Sequence, residues 1–176
     1  MTDTRHDPLL LAAQGFVYAI IGIMGIAATV LTIAIPFILL NRSMVIREIV
    51  ESHPEAVGSS LIGPIIVLLL VVITLLALAI VFLFNLRRII LSVEEGDPFI
   101  PANARRLARM GWITVIMQFA AFPATALAGW VQQSIDDLNV DFEFSLTGLL
   151  LALILFILAR VFRQGAAMRE DLEGTV

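Results

Sequence analysis

Cysteine and lysine are both missing from this 176-residue chain. Without cysteine there can be no disulfide, no thiolate metal ligand and no thiol nucleophile. Without lysine, all eleven basic residues are arginine. Charge is also missing from long stretches: residues 15–40 and 61–86 are two runs of 26 residues without one charged side chain. Runs 111–135 and 145–159 are equally uncharged. No titratable side chain stands near the middle of any run, which argues against a proton-coupled pump, an antiporter or a voltage sensor.

What is present is apolar: hydrophobic residues make up 60% of the chain, and the mean hydropathy is +0.99. Soluble domains hold roughly 45–50%. As a helix, 26 residues extend about 39 Å, against a bilayer hydrocarbon core of roughly 30 Å. The sequence therefore predicts an all-α, polytopic membrane protein. It forms one domain over 1–176: a four-transmembrane-helix bundle with spans at about 15–40, 61–86, 111–135 and 145–162. The first run is far too long for the apolar core of a cleaved signal peptide. Asp7 followed by Pro8 offers a helix cap, so the first helix starts either there or after Gln14. The fourth run is the shortest and reaches membrane length when Val161 and Phe162 are counted and Arg160 extends to the interface. An interfacial last helix is the alternative.

Arginine placement orients the chain. Nine arginines (Arg5, Arg87, Arg88, Arg105, Arg106, Arg109, Arg160, Arg163 and Arg169) fall on one side of the four spans, and only Arg42 and Arg47 on the other. The positive-inside rule then puts both termini and the 87–110 connection in the cytoplasm. The expected location is the bacterial cytoplasmic (inner) membrane, with lipid as the first partner.

Two spans carry ordered small or polar faces. In the first, Gly15, Ala19, Gly22, Gly25, Thr29 and Thr32 share one side; in the third, Gly111, Thr114, Gln118, Ala121, Thr125, Gly129 and Gln132 make a narrower stripe pointing towards Asp136. Such faces let helices approach closely, within one chain or between copies in a homo-oligomer. A second reading makes Thr114, Gln118, Thr125 and Gln132 a hydrophilic path or a small ligand pocket. Pro123 lies mid-span, opposite that stripe, and favours a kink. The second span is almost wholly aliphatic and is expected to have the greatest lipid exposure.

The connections on the other side offer little chemistry. In 41–60, Val45, Ile46, Ile49 and Val50 can lie on the membrane surface. His53 stands between Glu51 and Glu55, but Pro54 breaks the register that would bring them together around a metal. Asp136, Asp137, Asp141 and Glu143 read as a solvated turn. There is no G-x-S-x-G, H-E-x-x-H or P-loop pattern. We expect no enzyme activity, no metal and no cofactor.

The connection between the second and third spans is more distinctive. Gly96-Asp97-Pro98 stops one helix and Pro101 starts the next, so both helices should overshoot the membrane as a hairpin. The fourth helix can continue past the membrane with Val161, Gly165, Met168, Leu172 and Val176 along one apolar edge, which is expected to pack on the hairpin. These segments, Gly96-Asp97-Pro98-Phe99 with Asn103 and the ending 161–176 with Arg163, Gly165 and Asp171, resemble a bacterial four-span family of unknown function, YoaS-like and of the DUF2975 type. The resemblance implies a membrane component often encoded beside a small Xre-type helix-turn-helix regulator. Gly96, Asp97, Pro98, Phe99, Asn103, Arg163, Gly165 and Asp171 would then form or brace a docking surface for such a regulator, or else fix the turn and the tail. The chain has no DNA-reading element, so direct nucleic-acid binding is not expected. The alternative function is a small transporter, channel or lipid-ligand receptor that uses the stripe on the third span.

Overall fold

The computed structural model describes residues 8–52, 58–132 and 145–173. Among them are five helices and no strand: α1 Pro8–Leu40, α2 Arg42–Ser52, α3 Gly58–Glu94, α4 Pro101–Gln132 and α5 Leu146–Glu173. All but α2 are long and apolar enough to cross a membrane. The clustered acidic residues 136–143 and the His53–Glu55 pair lie outside the described residues. So does Asp7, although α1 is helical from Pro8 onward.

The four long helices form a row. Close backbone approaches join α1 to α3, α3 to α4 and α4 to α5; among the described residues none joins α1 to α4 or α5. Neighbours in the row run antiparallel, so Pro8, the α3–α4 connection and Glu173 all lie at one end. Arg87, Arg88, Arg105, Arg106, Arg109, Arg160, Arg163 and Arg169 are at that end, and Arg42 and Arg47 at the other.

This order corrects the expectation for the second span. α3 has α1 on one flank and α4 on the other, and its most open large side chains in the apolar run, Val67 and Leu70, are 49% and 50% exposed. On α1, Phe16, Ile23 and Ile26 each reach 68%. The first helix is therefore more open than the second span, because α3 is its only long-helix neighbour among the described residues. Its covered face repeats at heptad spacing through Leu10, Gln14, Val17, Ile21, Met24 and Leu31. The small-residue face points the other way: Gly15, Ala19, Gly22, Thr29 and Thr32 are exposed, and a β carbon at Gly15, Gly22 or Gly25 would meet nothing within 4 Å. Among the described residues no neighbouring helix closes on the glycines of that face.

Two exposed tryptophans stand near the two ends of the apolar run of α4. Trp112 is 62% and Trp130 50% exposed. The eighteen-residue step between them spans about 27 Å, close to the hydrocarbon thickness of roughly 30 Å. Tryptophan favours the membrane boundary because its ring is apolar and its N–H is polar. The arginines of α4 precede Trp112, and those of α3 lie at the same end of the row. Pro123 is exposed and the helix continues through it.

The best-packed region lies where three helices meet beneath the arginine-rich end. Ile89 of α3, Leu107 and Met110 of α4, and Leu155 and Ala159 of α5 form one buried cluster, flanked by Phe82, Leu86, Ala108 and Phe162. Further along α4, Ala121, Ala124, Ala128 and Val131 turn inward at three- and four-residue steps, which allows close backbone approach.

The α4–α5 seam is keyed by three glycines. The ring of Phe156 fills the space at Gly111, where a β carbon would stand 2.9 Å from Cε1. Gln118 occupies the space at Gly148, and Phe99 that at Gly165. Gln118 Oε1 also accepts the backbone N–H of Ser145 at 2.9 Å, and the Ser145 carbonyl accepts the first helical bonds of α5 from Gly148 and Leu149. α5 therefore begins level with Gln118, and residues 119–132 of α4 run on past its start by about 20 Å.

Candidate functional site

The connection between α3 and α4 is built by its local sequence. α3 ends in a Schellman motif: the Gly96 N–H bonds to the Val93 carbonyl and the Asp97 N–H to the Ser92 carbonyl, both at 3.0 Å. This closure needs a left-handed residue, and Gly96 has φ 80°. Pro98 follows where no helix can continue, and Pro101 occupies the first position of α4, where its missing N–H costs nothing.

Asn103 ties the turn together. It is fully buried, and its Nδ2 donates to Ser92 Oγ at 2.5 Å and to the Pro98 carbonyl at 2.8 Å. Its Oδ1 accepts from Arg106, whose guanidinium also reaches the Arg88 carbonyl at 3.2 Å. Ser92 Oγ in turn donates to the Ile89 carbonyl. One amide thus joins the end of α3, the turn and the first turns of α4. Full pairing matters, since an unsatisfied buried polar group costs about 1–3 kcal/mol.

α5 lies against this hairpin, but along a different edge from the one expected. Val161 and Met168 are 49% and 63% exposed. Of that edge Gly165 does meet the hairpin, and the contact runs on through Ala159, Phe162, Ala166 and Arg169; Val176 and the Leu172 side chain lie outside what is described. The edge is rotated because Phe99 seats in the gap at Gly165, beside Phe162 at a ring separation of 5.1 Å. Asp97 and Arg169 form an ion pair across the cap. α1 joins at its own start: Gln14 donates to Glu94 at 2.6 Å, and the Arg87 guanidinium stacks 4.5 Å from the Tyr18 ring centre.

Two open grooves flank α5 here. One, of about 280 Å³, runs between Asp97, Phe99, Ile100, Ala166 and Arg169. The other, of about 300 Å³, runs between Ala104, Arg105, Arg163, Ala166 and Ala167. Pro101, Ala166 and Glu170 border both. Of the sequence-derived residues, Asp97, Phe99 and Arg163 line a groove, while Gly96, Pro98, Asn103 and Gly165 shape the turn and seat the tail. Asp171 is exposed and lines neither groove.

The stripe on α4 does not converge. Thr114 is buried and its hydroxyl donates to the Met110 carbonyl; Thr125 is exposed and donates to the Ala121 carbonyl. Gln118 caps α5, and Gln132 lies half-exposed at the end of α4. Four participants carry no helical-period signal that marks them in the sequence: Ser92, Arg106 and Gly148, which act across elements, and Arg169, which the sequence marks only as one of the orienting arginines. Among the described residues no group of three histidine or carboxylate side chains could hold a metal.

No curated protein and no solved structure matches the chain. A family model does, over residues 45–176, which takes in α3, the whole cap, α4 and α5 but leaves out α1. With three quarters of its length matched and four apolar helices in place, the chain belongs to the family described as protein of unknown function (DUF2975).

Proposed function

We propose that this protein is a regulatory component of the bacterial cytoplasmic membrane, with its arginine-rich end in the cytoplasm and the cap at that end docking a protein partner. One observation carries the reading. The distinctive residues gather outside the apolar spans, beside two grooves with apolar floors and rims of both signs: Asp97 and Glu170 against Arg105, Arg163 and Arg169. Mixed charge around an apolar floor suits a protein segment better than a small ion. The positive-inside rule supports the orientation. The partner we favour is a helix-turn-helix transcription regulator, held at the membrane or released; the chain itself would not read DNA. Transport through the α4 stripe has less support, because the polar atoms of Thr114, Gln118 and Thr125 bond within α4 or to the start of α5.

The test is crosslinking of the tagged full chain in intact cells, with mass spectrometry of what copurifies. The reading expects a DNA-binding protein that is lost when Asp97 and Asp171 are both changed to Arg and retained when Gln118 and Gln132 are both changed to Leu. Capture of that protein equally by both variants would remove the cap as the docking surface. Recovery of the chain with no partner protein, with or without lipid, would reject the regulatory reading.

A further inference from the structure

A third groove, of about 340 Å³, lies between α3 and α4 and is lined by Val81, Phe84, Asn85, Arg88 and Arg109. None of its residues comes from α5 or from the cap grooves. Its two halves differ in chemistry. Val81 and Phe84, each 43% exposed, form an apolar strip one turn towards the membrane. Arg88 and Arg109 form the other half, one from each helix, and both are exposed. Asn85, only 5% exposed, lies between and turns its Nδ2 to the Val81 carbonyl.

Arg88 and Arg109 differ from Arg106 and Arg87 beside them. Arg106 is committed to Asn103 Oδ1 and the Arg88 carbonyl, and Arg87 stacks on Tyr18. Among the described residues, the Arg88 and Arg109 guanidinium groups have no hydrogen-bonded or ionic partner. Both lie at the Trp112 end of α4, three residues from it in the case of Arg109, and tryptophan favours the headgroup level.

We infer that this groove is a binding site for one anionic phospholipid. The phosphate sits between Arg88 and Arg109, and an acyl chain descends along Phe84 and Val81. Guanidinium groups suit the phosphate because they offer paired N–H donors. Basic pockets between membrane helices bind anionic headgroups for the same reason.

The experiment reconstitutes the full chain in phosphatidylcholine nanodiscs with a minor fraction of phosphatidylglycerol and counts retained lipid by native mass spectrometry. The inference expects one phosphatidylglycerol held per chain in preference to phosphatidylcholine. At about 1 kcal/mol per interfacial arginine, the R88Q/R109Q variant should weaken retention by at least roughly tenfold. R105Q, with a charge removed outside the groove, should leave retention unchanged. F84A should weaken retention with all charge kept, which covers the case in which R88Q/R109Q does not fold. The Arg88 backbone carbonyl still serves Arg106 in these variants. Equal loss in R105Q would mean bulk attraction and overturn the site. Release of the lipid by millimolar inorganic phosphate would make the occupant a free anion and overturn the lipid assignment. No preference for phosphatidylglycerol would end the proposal.

Discussion

Phe99 and Gly165 fit as knob and socket: a β carbon on Gly165 would stand 2.7 Å from Phe99 Cδ1. The glycine therefore lets the tail of α5 lie flat against the turn. Alanine at 165 should cost about 1–3 kcal/mol of overpacking, partly offset by the roughly 1 kcal/mol helix advantage of Ala over Gly. In an F99A background the collision is gone and the same substitution should stabilise. A double-mutant cycle by thermal unfolding in detergent reads this change of sign.

Gly96 is held by its backbone conformation and not by crowding, since a β carbon there would meet nothing within 4 Å. Ala at this position should lower stability by about 1–2 kcal/mol, the cost of a left-handed L-residue. Asn should lower it less, being the side chain that most often substitutes for glycine at this place. Comparison of the two variants by thermal unfolding checks the order.

Asn103 is the most sensitive polar residue of the cap. Its replacement by Ala strands the Pro98 carbonyl, Ser92 Oγ and one Arg106 N–H together, for a loss of about 3 kcal/mol or more. Ser92→Ala removes one of those bonds and should cost about 1 kcal/mol. Proteolysis between residues 94 and 103 should accelerate strongly in the first variant and weakly in the second.

Gln118→Leu and Gly148→Ala should produce the same lesion by different routes. The first deletes the acceptor for the Ser145 N–H; the second pushes Gln118 out of position. Each should cost about 1 kcal/mol, the usual magnitude for a lost helix cap, and the pair should be far from additive. Faster amide exchange confined to the first turn of α5 would report both.

The Asp97–Arg169 pair is exposed on both sides, with 49% of the Arg169 side chain and 38% of the Asp97 side chain accessible. Asp97→Asn should therefore change stability by less than about 1 kcal/mol. A large loss of partner capture without a stability change would assign Asp97 to docking. A large stability loss would assign it to the fold.

The spans and the hairpin were readable because long uncharged runs and a Gly-Asp-Pro stop depend only on neighbours in sequence. The overshoot of α3 through Arg87 and Arg88 to Glu94 follows from the same signals. The order of the helices was not readable: α1 and α3 have similarly apolar runs, and only their neighbours decide that α1 is the open one. The packing edge of the tail was also missed. Val161 and Met168 look like core residues by type, but glycine at 165 draws Phe99 in and turns Phe162 and Ala166 inward. Gln118 read as a possible pathway residue, since nothing in helical periodicity says that a glutamine will cap the next helix.

The three glycine sockets along the α4–α5 seam limit how the protein can move. Gly148 and Gly165 are seventeen residues apart, about 25 Å along the axis, with Phe156 seated at Gly111 between them. A slide of one turn, about 5.4 Å, would bring residues that carry a β carbon, such as Leu151 or Met168, against Gln118 and Phe99. α5 therefore cannot act as a piston. Any signal it carries between the membrane and the cap has to travel as a swing or twist of the α4–α5 pair, with the toothed seam kept in register.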